Sequence, residues 1–205
     1  MTPVSAAAVP GWWGKLPAVG DFAGRRLPGD FVQAWDDWLA AGLGHWRHGD
    51  AHWLDTYLAM PSLRFVLGGA LPQPTSPVWA GVLMPSVDSV GRYFPLTLLS
   101  ALPGVPDAGL LCPWLDELEA LAQNTLHDDW AIAALESALA ALGPPPPAAA
   151  SDATLPGGLG SALAGCGRGQ ALWWCRPSAH GPARALTSTR GLPVGSAFVE
   201  LLRGY

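Results

Sequence analysis

Three nearly continuous apolar runs constrain the fold of this chain more than any other feature of its sequence. They read VWAGVLM at 78–84, YFPLTLLSAL at 93–102 and ALWWC at 171–175. Half-exposed strands alternate apolar and polar residues, whereas strands covered on both faces read as unbroken apolar stretches of this kind. The chain therefore predicts a sheet buried between two layers of other elements. We place its main strands at about 63–68, 78–84, 93–101 and 170–176.

Helical periodicity supplies the elements that can cover such a sheet. In the clearest helix we interpret Asp30 as the N-cap and Gln33 as its partner in a variant of the capping box. This helix runs to about Gly49, and its apolar stripe contains Phe31, Trp35, Trp38, Leu39, Leu43 and Trp46. Further helices are predicted at 110–126, 128–142 and 194–203, and shorter strands at 11–16 and 183–189. These elements predict an α/β fold, a three-layer α/β/α sandwich around a mixed, largely antiparallel sheet.

Length and composition indicate one domain. The chain has 205 residues, half of them hydrophobic, which is enough for one substantial core and short for two. We expect a flexible N-terminus at 1–10 and a single domain at 11–205. A Pro/Ala-rich stretch at 143–158 is interpreted as an internal spacer loop rather than as a ligand for a proline-recognition module. The segment that follows is too short for a core of its own, so we expect it to complete the same sheet.

Charge and motif content exclude several classes of protein. The net charge is −5, and nucleic-acid binding requires a basic face, so we expect no nucleic-acid partner. Residues 69–87 are uncharged but contain four prolines, which argues against a membrane-spanning helix. The N-terminus lacks the features of a signal peptide, and neither a C-x-x-C pair nor a phosphate-binding P-loop is present. We therefore expect a cytoplasmic protein without membrane insertion.

Two loops carry charged residues in the same pattern, although only 13% of the chain is charged. Residues 20–31 read GDFAGRRLPGDF and residues 85–95 read PSVDSVGRYFP, so Asp21 and Asp88 each begin a D-x-x-G-R-x-apolar-P sequence. In one interpretation, each aspartate and arginine brace a glycine–proline turn by a charge-assisted hydrogen bond. In another, the two loops converge into one polar recognition patch. Catalysis by either aspartate is a third interpretation, although no histidine, second carboxylate or nucleophile accompanies either one in the sequence.

A histidine-rich stretch at 45–55 is the candidate for metal binding. It contains His45, His48, His52, Asp50 and Asp55. These residue types bind zinc, and a continuous helix would place the three histidines on one face. We expect Gly49 and Asp50 to end the helix between them, and we interpret the stretch as the polar end of a helix. A metal-dependent enzyme is the alternative.

Long motif blocks give the chain a family resemblance. GWWGKLPAVGDFAGRRLPGDFVQAWDDWL, then WAGVLMPSVDSVGRYFPLTL, then ALWW and RGLP follow in this order. In these blocks the chain resembles the TagF family, also called ImpM, of type VI secretion-associated proteins. The signature positions are Gly14, Lys15, Leu16, Pro17, Gly20, Asp21, Phe22, Arg26, Pro28, Pro85, Ser86, Asp88, Gly91, Arg92, Tyr93, Phe94 and Pro95.

The resemblance implies a function as well as a fold. It implies a non-catalytic cytosolic protein that represses a bacterial type VI secretion system after translation. The implied partner is a forkhead-associated scaffold protein of the secretion apparatus, which the repressor binds. The family supplies no catalytic residues, and we expect no cofactor and no metal.

The predicted functional site is a partner-binding patch formed by the two charged loops. Its rim is expected to contain Lys15, Asp21, Arg25, Arg26, Asp88 and Arg92, around Phe22, Tyr93 or Phe94. Aromatic and arginine side chains are the usual anchors of protein interfaces. Two other classes stay open here. One is a hydrolase or metal-dependent enzyme that uses Asp88 or the His45–Asp55 cluster, and the other is a structural subunit whose tryptophans form an exposed apolar face.

Overall fold

Seven strands form one sheet in the computed structural model, which describes residues 9–127, 130–147, 158–176 and 186–203. In chain order they are β1 (Gly11–Gly14), β2 (Ala23–Arg25), β3 (Leu63–Leu67), β4 (Val78–Met84), β5 (Leu96–Leu102), β6 (Gln170–Trp174) and β7 (Thr187–Arg190). The spatial order is β2-β1-β5-β4-β3-β6-β7, and every neighbouring pair is antiparallel. The sheet of the described residues is thus antiparallel throughout rather than mixed.

Six helices of the described chain cover the two faces of this sheet. On one face lie α1 (Gly29–Gly49), α2 (Trp53–Leu58) and α6 (Ser196–Arg203), and on the other lie α3 (Ala108–Asn124), α4 (Ile132–Leu142) and α5 (Leu159–Ala164). A separate cluster of buried side chains lies under each helix layer. The architecture is the predicted three-layer α/β/α sandwich. Among the described helices, none combines the length and the apolar character needed to cross a membrane.

The central strand β4 explains why the apolar runs do not alternate. All of its residues after Val78 are buried, and successive side chains enter opposite cores. Trp79 and Leu83 belong to the cluster under α1, whereas Ala80 and Val82 belong to the cluster under α3. Because both faces of the strand are covered, both sets of positions must be apolar.

The chain after the proline-rich stretch completes the same sheet, as predicted. β6 pairs with β3 and with β7, and α6 contacts α1. Of the predicted loop at 143–158, residues 148–157 lie outside the described residues. The same holds for 1–8 of the predicted N-terminus and for 183–185 of the last predicted strand. The division into a flexible N-terminus and a single domain stays a prediction.

The start of α1 differs from the predicted one. The helix begins at Gly29. Pro28 is the N-cap residue, and it has an extended backbone and makes no side-chain hydrogen bond to the helix. Asp30 therefore lies inside the helix, where its carboxylate accepts from the backbone N–H of the next residue. The predicted capping box is wrong, since the Gln33 side chain donates to Asp37 instead.

Other differences concern short elements and element ends. The sequence interpretation did not include β2, α2 or α5, because three to six residues are too few to display a period. The strand predicted from residue 93 begins at Leu96. The helix predicted at 128–142 begins at Ile132, and residues 128–129 lie outside the described part of the chain.

The contact between α1 and α6 generates a prediction about stability. A Cβ atom at Gly42 would lie 2.6 Å from the ring of Phe198, so Gly42→Ala should lower the free energy of unfolding by about 1–3 kcal/mol through overpacking. Gly44 lies on the same helix, and a Cβ atom there would meet nothing within 4 Å beyond its own helix backbone. Gly44→Ala should therefore raise the free energy of unfolding, by up to about 1 kcal/mol. Urea unfolding measures both changes, and two changes of the same sign would contradict this packing.

Candidate binding surface formed by two loops

Two loops lie side by side at one end of the sheet because β1 and β5 are neighbouring strands. The first loop, residues 15–22, connects β1 to β2, and the second loop, residues 85–95, connects β4 to β5. At Gly14, the end of β1 approaches the second loop closely. The φ angle of Gly14 is 139°, and a Cβ atom there would lie 2.2 Å from the carbonyl oxygen of Pro95. This junction therefore requires glycine.

Direct hydrogen bonds join the two loops. The backbone N–H of Ser89 donates to the carbonyl oxygen of Val19 at 3.1 Å. The hydroxyl of Ser86 donates to the carbonyl oxygen of Lys15 at 2.8 Å, and the Arg92 guanidinium donates to the carbonyl oxygen of Gly20. The loops therefore converge, which is the arrangement that the recognition-patch interpretation requires.

The buried Tyr57 of α2 holds the start of the second loop in place. Its hydroxyl donates to the carbonyl oxygen of Ser86 and accepts from the backbone N–H of the same residue, both at 2.9 Å. The ring is fully buried, and this burial raises the pKa of the Tyr57 hydroxyl well above its ordinary value. The hydroxyl therefore stays protonated and keeps both hydrogen bonds.

The carboxylate of Asp88 is the centre of the surface. Its Oδ2 accepts from Lys15 Nζ at 2.6 Å and from Arg92 Nε at 2.8 Å. Its Oδ1 accepts from the backbone N–H groups of Val90 and Arg92, at 3.1 and 2.8 Å. The Asp88 side chain is 0% exposed and that of Lys15 is 5% exposed. One buried carboxylate thus sets the shape of the second loop and ties it to the end of β1.

This environment keeps Asp88 ionised. Burial raises the pKa of a carboxyl group, but the hydrogen bonds from Lys15 and Arg92 outweigh it and hold the pKa of Asp88 well below its usual range. Each of its oxygens already accepts two hydrogen bonds. A carboxylate in this state is a poor proton acceptor. The geometry therefore favours the bracing interpretation of Asp88 over the catalytic one.

Aromatic rings form the exposed part of the surface. Phe22 stacks on Trp13 with ring centroids 5.5 Å apart and packs edge-on against Phe94 at 4.8 Å. Lys15 Nζ lies 4.2 Å from the centroid of the Phe22 ring, where the negative face of the ring attracts the cation. Because Phe22 is still 38% exposed, it is an apolar side chain that a partner can reach.

A hollow of about 420 Å³ opens beside Phe22. We call it the cation–aromatic hollow, and its lining residues are Lys15, Phe22, Arg47, Trp53, Gly91, Arg92, Tyr93 and Phe94. The Arg47 guanidinium lies 4.5 Å from the ring centroid of Trp53 and donates to the carbonyl oxygen of Tyr93 at 3.2 Å. The sequence interpretation missed Arg47 and Trp53 because both are distant from the loops in sequence. In the sequence, these two residues are marked only by a cation in the last turn of a predicted helix and a tryptophan shortly after it.

Arg25 and Arg26 do not belong to this hollow. Arg25 is paired across the strands with Trp12, whose ring lies in the core under α3, so both side chains point to that face of the sheet. The Arg26 guanidinium binds the carboxylate of Glu136 at 2.5 and 3.0 Å, and this bond holds the pKa of Glu136 below its usual value. The structure therefore corrects the predicted geometry: these two arginines do not share one rim with Lys15.

The two loops use their shared pattern differently. In the second loop, Asp88 and Arg92 pair as the bracing interpretation predicts. In the first loop, Asp21 accepts from the backbone N–H of Phe22 and lies 4.0 Å from Arg92. Arg25, which lies in β2 after this loop, donates to the carbonyl oxygen of the residue before it and does not pair with Asp21. The predicted brace is confirmed for the second loop and is wrong for the first.

The histidine-rich stretch is divided by the end of α1 at Gly49, as predicted. Asp50 accepts from the backbone N–H of His52 and from Arg203 of α6. The hydrogen bond from His52, together with the weaker effects of Trp46 and Arg203, keeps the pKa of Asp50 below its usual value, against the opposing effect of burial. Across the described residues, no three His, Cys, Asp or Glu side chains are placed to hold a metal ion.

Fold and surface together define a class of protein. It is a three-layer α/β/α protein in which two neighbouring loops form a cation–aromatic surface around a buried ion pair. The family model of the TagF N-terminal domain, described as type VI secretion system-associated, matches residues 11–142. The chain therefore belongs to the TagF family of type VI secretion system-associated proteins, as its motif blocks indicated.

A solved structure extends the similarity over nearly the whole chain. It is described as the crystal structure of PA0076 from Pseudomonas aeruginosa PAO1. The two chains are 37% identical, the match covers 96% of this chain and 94% of that one, and the TM-score is 0.79. No curated protein is significantly similar to the chain. The solved relative therefore supports the fold on both sides of the proline-rich stretch.

The Asp88 ion pair generates a prediction about acid stability. An unfolded aspartate has a pKa of about 3.9, and the folded value for Asp88 is lower. Its ionised form therefore stabilises the fold above about pH 4, and this contribution is lost as the pH falls further. Asp88→Asn should be less stable than the wild-type protein at neutral pH, with a difference that narrows below about pH 4.

Urea unfolding from neutral pH down to about pH 2.5 measures that difference. The control is Asp21→Asn, because the Asp21 side chain is 81% exposed and neutralises no buried cation. It should be close to the wild-type protein in stability at neutral pH. A destabilisation by Asp88→Asn that did not change with pH would contradict the role of the carboxylate charge.

Proposed function

We propose that this chain is a non-catalytic, cytoplasmic repressor of a bacterial type VI secretion system. It acts after translation by binding a forkhead-associated scaffold protein of the apparatus. Membership of the TagF family supports the link to type VI secretion. The observation that carries the binding mechanism is the cation–aromatic hollow, where an exposed ring and two fixed arginines surround a buried ion pair.

The hollow has the composition of an interface centre. Phe22, Trp53 and Tyr93 provide aromatic contact area, and Arg47 and Arg92 provide hydrogen-bond donors. Aromatic residues and arginine are the residue types enriched where interfaces bind most strongly. Contacts within the protein already hold these side chains, so little rotamer freedom is lost when a partner binds. A complementary partner can therefore bind without rearranging the loops.

The state of Asp88 supports a binding role for the same surface. Its carboxylate uses its hydrogen-bonding capacity within the protein and keeps a low pKa. It therefore holds Lys15 and Arg92 in place, and it is poorly suited to accept a proton from a substrate.

The tryptophans give no support to the structural-subunit alternative. Of the eleven, eight are buried, and the other three are partly buried.

The proposal predicts a measurable interaction. The purified chain should bind the forkhead-associated scaffold protein of the same bacterium, and its overproduction should lower secretion by the apparatus. Phe22→Ala removes an exposed ring at the hollow and should weaken scaffold binding by about tenfold or more, as the loss of an interface anchor does. Isothermal titration calorimetry measures the affinity, and the amount of a secreted apparatus component in the medium measures repression.

A matched control is available on the opposite helix layer. Leu126 follows α3 and is 45% exposed, so Leu126→Ala removes an exposed apolar side chain without touching the hollow. It should leave both affinity and repression unchanged. A scaffold protein that does not bind the wild-type chain would contradict the proposed partner. Equal weakening by the two substitutions would show that the interface is not at the hollow.

A further inference from the structure

We propose that the cation–aromatic hollow binds an acidic segment of the protein partner. Carboxylates of that segment pair with Arg47 and Arg92, and a neighbouring apolar side chain contacts Phe22 and Trp53. The inference rests on the proposed function for the existence of a protein partner. It adds the chemistry by which the partner is recognised.

The hollow is positively charged although the chain as a whole is negative. Lys15 and Arg92 both pair with Asp88, so these three side chains together have a net charge of one positive unit. Arg47 adds a second, because among the described residues its guanidinium contacts a ring and a carbonyl oxygen but no carboxylate. Asp21, at 4.0 Å from Arg92 and 81% exposed, offsets this only in part because water and salt screen it. With a net charge of −5 for the chain, the positive charge is local.

Both arginines keep N–H groups free for a ligand. Arg47 uses Nη2 for the carbonyl oxygen of Tyr93, and Arg92 uses Nε for Asp88 and Nη2 for the carbonyl oxygen of Gly20. Within the part of the chain that the structure describes, Nη1 of neither arginine has a partner. A guanidinium that is held on one side and free on the other is prepared for a carboxylate.

The rings beside these arginines favour an apolar side chain next to the acidic ones. Arg47 covers one face of Trp53, and Lys15 covers one face of Phe22. Both rings remain partly exposed. A small anion would leave this apolar surface in contact with water, whereas a peptide with an apolar side chain between carboxylates would cover it. The volume of about 420 Å³ is sufficient for such side chains, since ligand sites commonly span about 300–1,000 Å³.

The donors of the hollow suit carboxylates better than phosphate. Phosphate sites concentrate backbone N–H groups on one anion. Here the backbone N–H groups of Val90 and Arg92 already bind Asp88. The free donors belong to Arg47 and Arg92, which are separate side chains from different elements, and the Asp21 carboxylate beside Arg92 would repel a doubly charged group more strongly than a singly charged one.

A synthetic peptide that alternates Glu and Phe tests this chemistry without the scaffold protein. In an NMR titration of the whole chain, the peptide should shift resonances of the two loops and of residues 47–53. A matched peptide with Gln in place of Glu should bind at least about fivefold more weakly, and Arg47→Gln and Arg92→Gln should each weaken binding of the Glu peptide by a similar factor. Arg190→Gln is the control, because Arg190 is exposed on β7, at the opposite edge of the sheet.

The outcomes separate this inference from the proposed function. Weaker binding of the Glu peptide by Arg47→Gln, with normal binding by Arg190→Gln, supports the inference. If Arg92→Gln lowers thermal stability, its binding result is set aside and the result for Arg47→Gln decides. Equal binding of the two peptides, or a stronger response to inorganic phosphate than to the Glu peptide, would overturn it. Scaffold binding that Arg47→Gln does not weaken would also overturn it and would leave the proposed function in place. Glu-peptide binding without scaffold binding would contradict the proposed function and retain the chemistry of the hollow.

Discussion

A single buried carboxylate holds together the most distinctive surface of this protein. Asp88 joins Lys15, at the end of β1, to the backbone and side chain of Arg92 in the second loop. A buried charge of this kind is tolerated only when its charge and its lone pairs are matched by partners. Separating the loops would leave Lys15 buried without its partner Asp88, which is unfavourable, so the loops stay together. The ring of Phe22, which contacts the Lys15 ammonium group, is therefore held in a fixed position. The exposed anchors of the surface thus depend on an ion pair that is itself shielded from water.

Ionic contacts also join separate elements elsewhere in this charge-poor chain. Arg64 of β3 is 3% exposed and donates to Glu119 and Asp116 of α3, at 2.8 and 2.6 Å. Arg26 similarly binds Glu136 of α4. Each contact connects a strand, or the chain directly after it, to a helix in the layer that covers it. These contacts hold a helix layer against the sheet, whereas Arg47 and Arg92 of the hollow remain exposed.

Some of this arrangement could be predicted from the sequence, and some could not. The layering followed from the run at 78–84, because a strand covered on both faces must be apolar at every position. Of the interpretations of the shared loop pattern, convergence of the loops is correct, and the Asp–Arg brace is correct for the second loop and wrong for the first. At Gly91 the chain turns with a φ of 81°, which brings Arg92 back to Asp88, whereas at Gly24 the chain continues as strand β2. Identical residue spacing therefore produced different contacts, since the backbone path differed.

By itself the sequence determined the family, the α/β class, and the apolar strands and apolar stripe of α1 that enter the two cores. Motifs, apolar runs and helical spacing can be recognised in the sequence because each depends on residues that are close together along the chain. Only the tertiary structure decided which charged side chains pair. Lys15 and Asp88, for example, lie 73 positions apart in the sequence. The structure also decided that Arg47 is the cation that contacts Trp53. An ion pair or a cation–ring contact requires atoms within a few ångströms of each other. That proximity is set by strand register and helix packing, which bring together residues from distant parts of the chain.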